Sequence, residues 1–93
     1  MAVRVVAVHL SQGGYLNEHI TDVKWTSYGD GSTGQSTKAD MVRFIDVEDG
    51  KVYVETSTSK VEVGVVKPQG GTPYLRTFAN GTWTDNLLSL PRF

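Results

Sequence analysis

The residues most able to do chemistry in this chain are few and scattered. His9 and His19 are its only imidazoles. There is no cysteine, which excludes disulfides, thiolate catalysis and cysteine metal sites together. A zinc site takes three or four ligands, and the usual paired spacings are absent. His9 ends a predicted strand and reads as a packed or capping residue. His19 follows Glu18 and precedes another strand, where a general base is conceivable. No serine or cysteine nucleophile motif accompanies it. Asp46, Glu48 and Asp49 form a turn cluster. Glu55 and Glu62 read as cross-strand, solvent-facing residues, whereas a glycosidase needs two carboxyls converging in a cleft.

Gly29, Gly31 and Gly34 match a dinucleotide loop only in letters, because no βαβ unit surrounds them and a Walker lysine is missing. The stretch SYGDGSTGQ has no aliphatic residue to bury and reads as a mobile loop. Residues 36–39 would open a helix whose free donors suit an anion.

Arg76 is the most informative charge. It lies between Leu75 and Thr77 in an aromatic-rich strand and needs a partner. Asp85, across an Asn80-Gly81 hairpin, is the natural one. With Asn86 and Trp83 nearby, the cluster either locks the C-terminus or forms a recognition patch. In the second case Trp25 and Trp83 offer stacking faces. Such aromatics raise nucleic acid as a partner. The net charge of −1 and the scattered Lys and Arg count against it.

These groups need elements to hold them. At 93 residues the chain is one domain, burying roughly 60–65% of its unfolded surface. Ten glycines with frequent Val, Thr and Tyr favour strands and turns. The start, MAVRVVAVHL, is too short for a signal-peptide core. No run approaches the roughly 20 apolar residues of a membrane helix. The expectation is a cytoplasmic chain without membrane contact. Asn80-Gly81-Thr82 matches a glycosylation sequon but reads as a turn.

Alternation predicts strands at 3–10, 20–26, 52–56, 60–66, 74–79 and 82–84. The first has apolar side chains on both faces and reads as doubly covered. In the second, Ile20 is out of phase with Val23 and Trp25, so a bulge is expected near Thr21-Asp22. Tyr15 and Leu16 are expected to fold back over the core. One helix is expected from Ser36 or Thr37 to near Asp46, with Thr37 and Asp40 approximating a capping box. Its Met41, Phe44 and Ile45 share a face that must dock on a sheet. Ser57-Thr58-Ser59 connects a hairpin. Asp85 is expected to cap a last turn bearing Leu87, Leu88 and Leu90. The order β-β-α-β-β-β-β predicts a small α+β domain, five to six mainly antiparallel strands with one helix on them. A partly open barrel is the alternative.

Four runs, HITDVKW, STKADMVRFI, VEVGVV and YLRTFANGTWTDNLLSLPRF, resemble the small bacterial and phage domains grouped as domain of unknown function 3892. The resemblance covers about residues 5–93. It implies no reaction, ligand or catalytic residue. Asn80 stands where the family pattern has Asp, and Phe44 where Trp is common.

The residues thus point to a non-catalytic binding or interaction module, with Arg76, Trp83, Asp85, Asn86, Trp25 and His19 as candidate contacts. No cofactor or metal is called for. The expected partner is a protein or small ligand, and sheet edges invite self-association. The rivals are a nucleic-acid-binding accessory domain and a small enzyme using His19.

Overall fold

The computed structural model describes residues 2–93. They form seven strands, one α-helix and two short 3-10 helices. The strands are β1 (Ala2–Leu10), β2 (Ile20–Ser27), β3 (Thr33–Thr37), β4 (Lys51–Glu55), β5 (Lys60–Val66), β6 (Tyr74–Ala79) and β7 (Thr82–Thr84). The helix, α1, spans Lys38–Asp46, and the 3-10 turns span Asn17–His19 and Asn86–Ser89. One sheet runs β3-β2-β1-β4-β5-β6-β7. Every neighbouring pair is antiparallel except β1 with β4. The fold is therefore a small, mostly β, α+β domain with an open sheet, edged by β3 and β7. It has one strand more than the sequence predicts.

The extra strand is β3. The stretch read as a mobile loop is closed by a bond from Ser27 N–H to the Ser32 carbonyl, 2.7 Å. Asp30 accepts from the Ser32 N–H at 3.0 Å and hydroxyl at 2.8 Å. These bonds hold its carboxyl below the usual range. Residues 33–37 then pair along β2. They need no aliphatic side chain, because Trp25 of β2 supplies the apolar surface. Gly34 leaves room for it: a Cβ there would fall 2.3 Å from the indole ring.

The first strand has one covered face, not two. Val3 and Val5 are buried, and so is Val8. The pairing slips between Val5 and Ala7. That bulge at Val6 moves the core face from odd to even positions. Arg4 and His9 stay exposed opposite. The expected bulge in β2 is present at Thr21, between the His9–Asp22 and Leu10–Ile20 pairs. It brings Ile20 and Val23 into the same core.

The helix is capped as its sequence suggests, with Thr37 Oγ1 accepting the Asp40 N–H at 3.2 Å. Its first helical residue is Lys38. Met41 is buried, with Phe44 and Ile45 packed against the core. It lies against β2, β3, β5 and β6 and carries the chain from the β3 edge across to β4. After it, Asp49 adopts φ 57°, and Gly50 lies under the Phe44 ring, 2.3 Å from where a Cβ would stand.

The β6–β7 turn has φ 55° at Asn80 and φ 77° at Gly81, the two positive values of a tight I′ hairpin. The chain then returns to β1. Leu87 is fully buried. Val8 N–H donates to the Pro91 carbonyl at 3.0 Å and Phe93 N–H to the Val8 carbonyl at 3.1 Å. The tail thus pairs beside the second half of β1, where β4 no longer reaches. His9 Nδ1 donates to the Phe93 carbonyl, and Arg92 Nη1 satisfies the Leu88 and Leu90 carbonyls at 2.7 and 2.8 Å. Tyr15 and Leu16 do not cover the core: they are 71% and 41% exposed. No helix among the described residues is long and apolar enough to cross a membrane.

Candidate functional site

The Arg76–Asp85 pair forms as the hairpin register dictates. Arg76 Nη2 lies 3.0 Å from Asp85 Oδ1. Arg76 Nε also donates to the Thr84 carbonyl at 3.2 Å. Both side chains remain partly in water, 32% and 61% exposed, so the pair alone contributes little stability. Asp85 does not cap the following turn with its side chain, because its carboxylate is engaged elsewhere. The same Oδ1 accepts the Asn17 amide N–H at 2.9 Å.

Asn17 is the residue that sequence reasoning missed. It is only 6% exposed. Its amide nitrogen reaches Asp85, 68 residues away, while its Oδ1 is buried with no hydrogen-bond partner. No local pattern announces it; only the return of the C-terminal segment brings its partner close. A cleft of about 210 Å³ opens here, lined by Leu16, Asn17, Glu18, Tyr74, Arg76, Asp85 and Leu88. Its lining combines Glu18, Asp85, Arg76 and Asn17 with Tyr74 and two leucines.

The other predicted contacts separate. Asn86 belongs to a closed network with Thr77 and Thr84. Its backbone N–H donates to Thr77 Oγ1 at 3.0 Å, and its Oδ1 accepts from Thr84 Oγ1 at 2.7 Å. Trp25 is no exposed platform, since its indole N–H donates to Ser36 Oγ at 3.0 Å between β2 and β3. It borders a second cavity, about 270 Å³, beneath α1. Trp83 is half-exposed on β7, edge-on to Phe78 with ring centres 5.1 Å apart. His19 Nδ1 accepts the N–H groups of Tyr15 and Leu16, both at 3.1 Å. That nitrogen is spent on the turn, and no hydroxyl is bonded to it. Among the described residues no three His, Asp or Glu side chains cluster to hold a metal.

One further group is perturbed. The Tyr28 hydroxyl is pushed up to about 12 by partial burial, then by the hydrogen bond it donates to Glu55 Oε1, 2.6 Å long. An unfolded tyrosine ionises near about 10. The folded chain thus holds this proton more tightly, and stability present below pH ~10 is lost as pH rises towards ~12. A Tyr28→Phe variant is expected to lose less stability than wild type across that window. Equal alkaline losses in the two proteins, followed by circular dichroism, would refute the assignment.

No curated protein and no solved structure matches the chain. Residues 4–91 match the family model described as Protein of unknown function (DUF3892), and with nearly its whole length covered the chain belongs to that family.

Proposed function

We propose that this domain is a non-catalytic binding module whose ligand site is the Asn17–Arg76–Asp85 cleft. One observation carries the reading: Asn17, a residue lining that cleft, keeps its Oδ1 buried without a hydrogen-bond partner. An acceptor left so costs about 1–3 kcal/mol, and a donor that reaches it as the cleft wall shifts removes the cost. The Asn17 amide cannot turn to relieve it, because its nitrogen is held by Asp85. With Asp85 paired to Arg76, Glu18 is the carboxylate that biases the cleft towards a donor or cation, and Leu16 and Leu88 accommodate a short apolar part. The volume, about 210 Å³, lies below the common range of ligand sites. The ligand class is therefore a small amine or amide, of about amino-acid size.

A screen of amines, amino acids and small amides by ¹H–¹⁵N correlation spectra tests this. Shift changes confined to the cleft residues are expected in wild type. They should vanish in Asn17→Leu, whose fold the same spectra verify. A library that leaves the cleft resonances unmoved, or moves them equally in Asn17→Leu, would refute it.

A further inference from the structure

The sheet face turned away from α1 is organised in a way that net charge conceals. The strand registers place Arg4, Tyr53, Glu62, Phe78 and Trp83 in one row across β1, β4, β5, β6 and β7. Two aromatic pairs occupy it. Phe78 and Trp83 are each 39% exposed. Trp83 lies over Gly64, where a Cβ would come 3.2 Å from the ring, so the missing side chain gives the indole its seat. Tyr53 meets Tyr28 at 6.1 Å and 74°. Lys60 Nζ lies 4.4 and 4.3 Å from these two ring centres.

Charge follows the same division. Alternation along the strands sets Arg4, Lys24, Lys51 and Lys60 on this face, against Asp22, Glu55 and Glu62, while Arg76 is neutralised there by Asp85. The remaining acids include Asp40 and Asp46 on α1 and Glu48 and Asp49 just after it. A chain of net charge −1 therefore presents a face with more cations than anions, and with half-exposed rings among them.

We infer that this face binds single-stranded nucleic acid. Bases stack on the open Phe78–Trp83 pair, and the Tyr28–Tyr53 pair takes a further base when Lys60, which covers its rings, turns to a phosphate. Phosphates meet Arg4, Lys51 and Lys60. Stacking requires unpaired bases, so a duplex is a poor ligand for the same surface. Glu62, between the two aromatic pairs, repels the backbone from the centre of the row and keeps phosphates to its flanks. Binding is modest in affinity and steep in salt, because the positive excess is small.

The test is fluorescence anisotropy with a labelled oligothymidylate of about a dozen nucleotides, long enough to span several stacking sites, at low salt. Saturable binding is expected, with quenching of tryptophan fluorescence. Trp83→Ala should weaken it at least about fivefold, the lower end of one lost stacking contact. Arg4→Gln with Lys60→Gln should weaken it and flatten the log–log salt slope by about 1.4, two lost phosphate contacts on a single strand. Asn17→Leu should bind as wild type, which separates this surface from the cleft. Circular dichroism confirms folding of each variant, and Phe78→Leu replaces Trp83→Ala if the latter unfolds. No binding at low salt overturns the inference. So does duplex DNA binding as tightly as the single strand, or an affinity untouched by the aromatic substitutions.

Discussion

Replacing Leu87 with alanine is expected to destabilise the domain by about 2–5 kcal/mol, the range for truncating a buried leucine. Leu87 is fully buried, in the same core cluster as Val8, Ile20, Leu75 and Met41. It sits in a turn of only four residues, Asn86–Ser89, which could not hold itself together without that packing. The loss is a large fraction of the 5–15 kcal/mol typical of a whole domain. In a domain of this size it lowers the melting temperature by roughly 10 °C or more. The effect should spread. Once Leu87 is loosened, the tail that pairs with Val8 loses its anchor, and amide exchange at Val8 and Phe93 should rise with it. A Leu87→Ala protein that melts within a degree or two of wild type would mean that the C-terminal segment is an appendage.

Thr77→Val is expected to cost about 1–3 kcal/mol although it preserves shape. Thr77 has no exposure at all. Its hydroxyl accepts the Asn86 backbone N–H at 3.0 Å and directs its one proton to Thr84, whose carbonyl lies at 2.9 Å and whose hydroxyl lies at 2.7 Å. Thr84 in turn donates to Asn86 Oδ1 at 2.7 Å. With a single hydrogen on each hydroxyl, the network closes only if every member is present. Valine leaves the Asn86 N–H without this partner in a part-buried site. Thr77→Ser keeps the hydroxyl and is expected to lie much closer to wild type. Urea melts of the three proteins decide it, and valine at least as stable as serine would show the network to be incidental.

The comparison of Trp25 and Trp83 shows where reading from sequence alone stops. Both look like stacking residues on strands. Trp25 is partly buried against Ser36 and Gly34, and Trp83 is left half-open over Gly64. The difference lies in which strand comes to rest beside each, and that is a non-local fact. Arg76 and Asp85 were legible as a pair because a two-residue turn sets their register. Asn17 was not, because its partner is 68 residues distant.

Local order in this protein is written in neighbouring residues. The β5 alternation, the Thr37 cap, the Thr21 bulge and the Asn80-Gly81 corner all act through contacts a few positions long, and pattern alone determines them. The single covered face of β1, the parallel seating of β4 and the cleft at Asn17 depend on the tertiary structure. Each requires segments far apart in the chain to meet, and burial of the shared core, a property of the whole chain, selects that meeting.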